Sequence, residues 1–290
     1  MKEIIPIGTP TQTKTIINKY HFHINKRFGQ NFLINPHILK KIVSLAQIKN
    51  KDIVIEIGPG LGALTEQIAK KAKKVIAYEI DKKLIYILHN TLNKYTNIRI
   101  VHEDFLKTNL AFFKQEPHIK LVANLPYYIT SPVLFKIFSN KIDFDNITLT
   151  MQKEVAQRIQ ASPGSKKFGY LSLAVQYYFK LTPLTYISKN NFFPKPKVDS
   201  AVINMKIKPN FHHFIYEKQL FKIIKIAFSH RRKSLVNNLF FLIEKNSLNK
   251  KKLESIFQKL SLEKNIRGEK LNLKKYKELV NQLIVHKLIS

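Results

Sequence analysis

The sequence predicts an α/β fold, with a mostly parallel sheet and helices on both faces, followed by a small domain built only of helices. Short apolar strands alternate with helical patterns over residues 52–150. A glycine-rich turn follows the first of these strands. Beyond residue 209 only helical spacing of apolar side chains remains. Strands separated by helices are typical of a parallel sheet, and they support the prediction.

Five strands and three helices are predicted within this α/β region. The strands are 53–57, 75–78, 98–101, 120–123 and 147–151, and the helices are 61–71, 82–92 and 132–138. The strands are mostly short apolar runs, as expected for strands that are buried on both faces of a sheet. Two later stretches, 172–181 and 200–207, are predicted as further strands that form a closing hairpin.

A domain boundary is predicted at Pro209-Asn210, because this dipeptide interrupts the chain where the pattern changes. Residues 1–209 would form an N-terminal extension and the ligand-binding α/β domain, and residues 210–290 a helical C-terminal domain. Apolar side chains in the second region recur at i, i+3, i+4 and i+7, which places one apolar stripe on each helix. One such set is Leu253, Ile256, Phe257 and Leu260.

The charge of the chain points to a polyanionic partner. Its 290 residues include 50 Lys and Arg against 19 Asp and Glu, a net charge of +31. Nucleic acid is the natural partner for such a surface, because each neutralised phosphate releases counterions. A general compositional bias towards lysine is an alternative explanation, so charge alone does not decide the function.

The absence of cysteine excludes a disulfide scaffold, cysteine–zinc sites, iron–sulfur clusters and a thiol nucleophile. The histidines show no metal-ligand spacing, so no metal is expected. The N-terminus lacks the apolar core of a signal peptide, and no uncharged apolar run is long enough to span a bilayer. A soluble cytoplasmic protein without membrane contact is therefore expected.

The turn Gly58-Pro59-Gly60-Leu61-Gly62 lies between a predicted strand and a predicted helix. Glycines in this position let the backbone turn tightly and approach a ligand, and ligands of open α/β sheets bind at the carboxyl ends of strands. A dinucleotide fingerprint has its third glycine one residue later, and Pro59 removes a backbone donor from the turn. Both features favour a ligand without phosphate, such as S-adenosylmethionine, over a dinucleotide. A dehydrogenase that binds NADH is the less favoured alternative.

Two acidic residues follow the neighbouring strands at positions where they could hold a nucleoside. Glu79 ends the second strand, 21 residues after Gly58, and could accept both hydroxyls of a ribose. Asp104 lies three residues past the third strand and could accept the amino group of an adenine. Together they indicate that Gly58 and Gly60 belong to a nucleoside-binding turn.

The most specific motif is Asn124-Leu125-Pro126-Tyr127, at the end of the fourth strand and on the same edge as the glycine turn. The lone pair of an adenine N6 is delocalised into the ring. The Asn124 side-chain oxygen and the Leu125 carbonyl could each accept an N6–H and so direct that lone pair at a methyl donor. Pro126 stiffens the turn, and the Tyr127 ring could stack on the target base.

A second aromatic wall is predicted at Phe192, in the segment Phe192-Phe193-Pro194-Lys195-Pro196. A ring in a proline-stiffened loop could hold a flipped-out base against Tyr127. Simple core packing is an equally good explanation for an aromatic residue next to proline.

Five segments together resemble the ribosomal RNA adenine dimethyltransferases that modify the small subunit, over almost the whole chain. They are KRFGQNFL at 26–33, EIGPGLGALT at 56–65, NLPYYITSP at 124–132, FFPKPKVDSAV at 192–202 and FSHRRKSLVNNL at 228–239. The resemblance implies a class I S-adenosylmethionine-dependent methyltransferase fold, with S-adenosylhomocysteine as the product and a helical C-terminal domain that binds rRNA. No departure from the family motifs is evident in these segments.

The resemblance also implies residue roles and a substrate. The implied cofactor contacts are Asn31, Leu33, Gly58, Glu79, Asp104 and Asn124, and the implied catalytic residues are Asn124, Leu125, Pro126, Tyr127 and Phe192. The implied reaction is dimethylation of two adjacent adenosines in the hairpin near the 3′ end of 16S rRNA, during small-subunit assembly. A monomer acting on immature 30S subunits is expected.

Alternatives remain at this stage. One is the related class that methylates a 23S rRNA adenine and confers macrolide resistance, and another is a non-catalytic RNA-binding assembly factor. The basic segment Arg231-Arg232-Lys233 is expected to contact rRNA phosphates, although a solvated helix surface is the alternative.

Overall fold

The computed structural model describes residues 5–140, 142–208, 211–243 and 246–289. The chain forms two compact units, one of Met1–Ala156 with Lys180–Ile207 and the other of Gln157–Phe179 with Lys208–Ser290. The predicted boundary at Pro209-Asn210 lies outside the described residues. The second unit also contains residues 157–179, which the sequence analysis assigned to the first domain.

Ten strands and eleven α-helices are found among the described residues. The strands are β1 Phe32–Leu33, β2 Ile53–Ile57, β3 Lys74–Glu79, β4 Ile98–His102, β5 Ile119–Asn124, β6 Asn146–Gln152, β7 Phe179–Leu181, β8 Thr185–Ile187, β9 Phe192–Phe193 and β10 Ser200–Ile207. The helices are α1 Pro10–Lys19, α2 Pro36–Leu45, α3 Ala63–Ala69, α4 Lys82–Thr91, α5 Thr130–Asn140, α6 Lys153–Gln160, α7 Tyr170–Tyr178, α8 Glu217–Ala227, α9 Leu235–Leu239, α10 Ser247–Lys259 and α11 Leu273–Val285.

The main sheet has the strand order β4-β3-β2-β5-β6-β10-β7, with β8 paired to β10. The four contacts among β2 to β6 are all parallel, whereas β10 runs antiparallel to β6 and β8. The prediction of a mostly parallel α/β sheet is therefore confirmed. The chain leaves β2 towards β3 on one side and returns to β5 on the other, which makes the β2–β5 border the point where open α/β sheets bind ligands.

The strands of this sheet form because their side chains are apolar on both faces. Val54, Ile55, Leu121, Val122 and Ile147 are all fully buried. One layer of the core also takes in the N-terminal segment, since Ile7, Ile16 and Phe22 pack with Leu61 and the helix α4. The sequence analysis assigned no helix to this segment, so α1 is an addition from the structure.

The prediction of a strand over 172–181 is wrong for most of its length. Residues 170–178 form the helix α7, and only Phe179–Leu181 is extended and lies beside β10. Ser172 accepts the Gly169 N–H at 3.0 Å and supports the first turn of the helix. Apolar residues face the core on several sides of α7, so the segment shows no helical periodicity and reads like a buried strand. The strand predicted over 200–207 is confirmed as β10.

The described part of the second unit is helical around a single apolar cluster. Leu220, Ile224, Phe257, Tyr276 and Leu283 are buried in it. The apolar stripe predicted over Leu253–Leu260 faces this cluster from α10 and is confirmed. The second stripe that the helical spacing predicts, Tyr276, Leu279, Val280, Leu283 and Ile284, faces it from α11. Among the described residues, no helix combines the length and the apolar character needed to cross a membrane.

Candidate active site

A cavity of about 370 Å³ opens in the first unit at the carboxyl ends of the parallel strands. Ile57 of β2 pairs with Ala123 of β5, so the residues that follow them, Gly58 and Asn124, lie side by side at the sheet edge. Both line the cavity. The structure therefore brings the glycine turn and the NLPY motif together, as the sequence analysis predicted.

The glycine turn forms one wall of this cavity and requires glycine. Gly58 and Gly60 have φ of +67° and +60°, a region that side chains with a Cβ rarely adopt. A Cβ on Gly60 would lie 3.0 Å from the Phe32 ring, and one on Gly58 would lie 3.8 Å from Pro126 Cδ. The turn is thus pressed between the N-terminal motif and the NLPY motif, with its backbone facing the cavity.

Glu79 lies at the end of β3, where the sequence analysis predicted a ribose acceptor. Its carboxylate accepts the N–H groups of Ile80 at 2.9 Å, Asp81 at 3.0 Å and Gly60 at 3.2 Å. Burial raises the pKa of Glu79, and these three hydrogen bonds oppose that shift. They also fix the orientation of the carboxylate towards the glycine turn. Oε1 accepts two of the three N–H groups, whereas Oε2 accepts only that of Gly60 and keeps a further lone pair for a ligand hydroxyl.

Asp104 and Ile80 border the cavity beyond Glu79. Asp104 Oδ1 accepts the Leu106 N–H at 2.9 Å, which forms a tight turn after β4. Ile80 is 44% exposed although it follows a buried strand directly. The exposed apolar side chain of Ile80, next to the carboxylates of Glu79 and Asp104, could pack against the face of a purine ring. The sequence analysis missed Ile80, although an apolar residue placed directly after Glu79 was a usable signal.

Glu56 is a second residue that the sequence analysis did not single out. It lies within β2, is 1% exposed and lines the cavity. Its Oε2 has no hydrogen-bond partner among the described residues. Burial raises the pKa of Glu56 to about 8; the neighbouring Thr65 side chain opposes this shift, and the negative charge of Glu79 adds to it. A buried carboxyl with an unpaired oxygen at a ligand cavity is a place where a cationic group would be bound. An acid inside an otherwise apolar strand was the signal for it.

Asn124 and Asn31 are joined through the cavity wall. The Asn124 Nδ2 donates to the Asn31 carbonyl at 3.2 Å, and the Asn31 Nδ2 donates to the Gly29 carbonyl at 2.9 Å. With its nitrogen held in this way, Asn124 presents its side-chain oxygen as the remaining acceptor. The predicted role of Asn124 uses this oxygen, and that role stays a prediction.

Leu125, Pro126 and Tyr127 continue the cavity wall after Asn124. The Leu125 N–H donates to the Thr150 carbonyl at 3.1 Å, which anchors the motif to β6. The Tyr127 hydroxyl is hydrogen-bonded to Ser200 Oγ at 2.9 Å, and burial raises its pKa. This bond holds the ring in one orientation, as a stacking surface requires. The neighbouring Tyr128, which the sequence analysis did not assign, is 58% exposed and also lines the cavity.

Leu33 and Phe192 are partners in the two-stranded sheet formed by β1 and β9. Phe192 is 3% exposed and packs in the core with Leu39 and Val122, although it also borders the cavity. The packing explanation for Phe192 is therefore realised, and its contact with a base stays a prediction. Leu33 is buried beside it and reaches the same cavity.

The basic segment 231–233 divides into residues with different environments. Arg231 Nη2 donates to Glu269 Oε2 at 2.7 Å and to the carbonyls of Phe168 and Lys166 at 2.9 and 3.0 Å. Arg232 is exposed, and the exposed Lys233 places its Nζ 5.3 Å from the centre of the Phe241 ring. Arg231 therefore holds the second unit together, which the sequence analysis did not anticipate.

One group of potential metal ligands occurs among the described residues, formed by Asp52, His118 and Asp145. The Lys120 ammonium lies 2.7 Å from Asp52 Oδ2 and supplies the positive charge that this buried carboxylate needs. The group lies near the amino ends of β2 and β5, and none of its members lines the cavity.

Comparisons with known proteins agree with this geometry. The model of the family described as ribosomal RNA adenine dimethylase matches residues 21–282. A ribosomal RNA small subunit methyltransferase A from Bacillus cytotoxicus is 42% identical over 288 residues, covering 97% of this chain and 99% of the relative. The protein of the same name from Leuconostoc citreum is also 42% identical and covers both chains completely.

Solved structures show the same architecture. A dimethyladenosine transferase from Plasmodium falciparum matches with a TM-score of 0.74 and 29% identity, over 88% of this chain and 98% of that one. The 23S rRNA methyltransferase ErmE matches with a TM-score of 0.67 over 87% of this chain and 99% of that one. Its identity of 22% means that this likeness shows the fold alone.

The parallel sheet, the glycine turn and the acid that ends β3 define a class I methyltransferase that uses S-adenosylmethionine. The chain belongs to the ribosomal RNA adenine dimethylase family. It is thus an S-adenosylmethionine-dependent enzyme that dimethylates adenine in ribosomal RNA, and the corresponding predictions from the sequence are confirmed.

Proposed function

We propose that this enzyme dimethylates the N6 groups of two adjacent adenosines in the hairpin near the 3′ end of 16S rRNA, within immature 30S subunits. It would act as a monomer in the cytoplasm, without membrane contact. The observation that carries the proposal is the 42% identity, over nearly the whole chain, with relatives named ribosomal RNA small subunit methyltransferase A. The net charge of +31 suits a polyanionic substrate such as rRNA.

The cavity has the chemistry expected of a cofactor site. When bound, S-adenosylmethionine would supply an electrophilic methyl group on a sulfonium. Glu79 would accept the ribose hydroxyls, and Asp104 would accept the amino group of the adenine. The buried carboxyl of Glu56, through its unpaired Oε2, would receive a cationic group of the ligand. Gly58, Gly60, Asn31 and Leu33 would form the surrounding walls.

The NLPY motif would hold the target base. The side-chain oxygen of Asn124 and the carbonyl of Leu125 would each accept one N6–H, which concentrates the lone pair on the nitrogen facing the methyl group. Pro126 keeps these two acceptors in place, and Tyr127, fixed by Ser200, would stack on the base. Phe192 would form the opposite wall at its cavity border. Positioning and hydrogen-bond electrostatics would supply most of the catalysis.

The proposed substrate can be tested against the alternatives in one assay. Purified enzyme should transfer four methyl groups to each 30S particle isolated from a strain that lacks this activity, and mass spectrometry should locate them on two adjacent adenosines. Naked 23S rRNA should accept none. Methylation of 23S rRNA instead would support the macrolide-resistance class, and binding to 30S particles without any transfer would support the non-catalytic assembly factor.

Within the segment 231–233, we expect Lys233 to contact rRNA and Arg231 to stabilise the protein, because their environments differ. The Lys233→Gln variant should weaken rRNA binding and reduce the dependence of log K on log salt by roughly 0.7 to 0.9, the value for one lost phosphate contact. The Arg231→Gln variant should leave that slope unchanged and instead lower the stability of the protein by about 1–3 kcal/mol, because it loses a charged hydrogen-bond network. Filter binding at several salt concentrations and urea unfolding measure the two effects.

A further inference from the structure

The loop that carries Asp104 is held by contacts from inside and from outside. Within the loop, the Asp104 carbonyl accepts the Lys107 N–H at 2.8 Å, and the Thr108 N–H and hydroxyl at 3.2 and 3.3 Å. Asp104 Oδ1 is occupied by the Leu106 N–H at 2.9 Å. These bonds shape residues 104–108 into a compact turn that borders the cavity, but they do not attach the turn to the rest of the unit.

Two side chains attach the turn. The ring of the buried Phe105 lies 5.6 Å from that of Tyr78, centre to centre, and the polar attachment comes from Lys136, a half-buried residue of α5. Its Nζ donates to the Thr108 carbonyl at 2.7 Å and to the Leu106 carbonyl at 3.0 Å. A charged donor shared by two main-chain carbonyls in a partly dry environment is a strong contact. The helix α5 begins at Thr130, immediately after the turn Tyr127–Ile129 that contains part of the NLPY motif. Lys136 thus ties the Asp104 loop to the helix that follows this motif.

We propose that Lys136 is a positioning residue for recognition of the cofactor's adenine, because it holds the 104–108 loop in the place where the Asp104 carboxylate meets the adenine amino group. The proposal rests on the function proposed for Asp104. The Asp104 carboxylate can accept a hydrogen bond from the adenine amino group only if its second oxygen, Oδ2, stays at hydrogen-bond distance from the amino nitrogen, within a few tenths of an ångström. A loop released from α5 would lose this restraint and with it the preference for an amino group.

The preference can be measured by calorimetry, with S-adenosylhomocysteine and its 6-oxo analogue S-inosylhomocysteine as ligands. The analogue places a carbonyl oxygen where adenine has its amino group, so a well-placed carboxylate rejects it. The Lys136→Met variant keeps the aliphatic stem and removes the donor. It should bind S-adenosylhomocysteine roughly tenfold more weakly than the wild type, while its affinity for the analogue stays within about twofold.

The matched control is Lys107→Met, because Lys107 is an exposed lysine of the same loop and its backbone N–H donates to the Asp104 carbonyl. The control loses the same charge near the ligand and should keep the wild-type discrimination. Near-ultraviolet circular dichroism checks that each variant is folded. If Lys136→Met does not fold, Lys136→Gln takes its place, and its discrimination should fall at least threefold.

Three outcomes would overturn the proposal. Equal weakening of both ligands would mean that Lys136 acts only through general stability. Wild-type discrimination in the Lys136 variant would mean that the loop keeps its place without the ammonium. Equal wild-type affinities for the two ligands would mean that Asp104 does not recognise the adenine amino group. The loop would then have no role in adenine recognition for Lys136 to support. The methyl-transfer assay on 30S particles is independent of all three results.

Discussion

The Asn124→Ala variant is expected to lose methyl transfer by 100- to 1,000-fold, far more than it loses in affinity for S-adenosylhomocysteine, for which Asn124 is one contact among several. The alanine removes the side-chain oxygen that is oriented by the bond from Nδ2 to the Asn31 carbonyl. The loss of one positioned hydrogen-bond acceptor at a reacting group commonly costs this much in rate. Single-turnover transfer to 30S particles and calorimetry with the cofactor product measure the two quantities.

Asn97→Ala serves as the control for this experiment. Asn97 is also half-buried, and its Nδ2 donates to the carbonyls of Ala69 and Ala72, away from the cavity. The variant should lose stability because it loses these two bonds, and its folded fraction should transfer methyl groups at the normal rate. A normal rate in Asn124→Ala would show that the amide takes no part in the reaction.

The Glu56→Gln variant is expected to be more stable than the wild type at neutral pH when no ligand is bound. The pKa of Glu56 is about 8 in the folded protein, compared with 4.5 for an ordinary glutamate. Below about pH 4.5 the carboxyl holds its proton in both states, so the two proteins should differ little. As the pH rises from 4.5 to 8, the unfolded chain releases the proton while the folded protein keeps it, and wild-type stability falls relative to the variant.

Near pH 7 the free energy of unfolding of Glu56→Gln should exceed that of the wild type by on the order of 3 kcal/mol. Urea unfolding over a pH series measures this difference. Glu66→Gln is the contrasting control, since Glu66 is also buried but accepts bonds from the Ile7 N–H and the Tyr95 hydroxyl and lies 3.4 Å from the Lys94 ammonium. That variant should be less stable than the wild type. An unchanged stability profile for Glu56→Gln would mean that the carboxyl has a partner or reaches water.

The parts of the site that the sequence analysis located share one property, which is that they follow directly from strand ends. Gly58, Glu79 and Asn124 each lie at or just after the end of a predicted parallel strand. The carboxyl ends of parallel strands meet at one edge of the sheet, so the sequence positions alone predicted that these residues would converge. The shared cavity agrees with this prediction.

The residues that the sequence analysis missed depend on contacts between distant segments. Lys136 reaches the carbonyls of a loop about 30 residues earlier, and Arg231 reaches Phe168 and Glu269. A lysine or arginine in a basic sequence carries no local mark of such a partner. The prediction of a strand at α7 is wrong for a related reason. Core residues surround this helix, so its sequence lacks the periodic pattern that identifies a helix.

The sequence by itself determined the class of fold, the family, the methyl-donor chemistry and the residues that end the parallel strands, because each of these is written in local patterns of turns, apolar runs and motifs. Only the tertiary structure decided which charged groups are paired with internal partners, which carboxyl oxygen is buried without one, and which apolar side chain is left exposed at the cavity. Those outcomes are set by burial and by distances between segments far apart in the chain. A local pattern, such as the acid within β2 or the isoleucine after Glu79, marks a candidate but does not decide its environment.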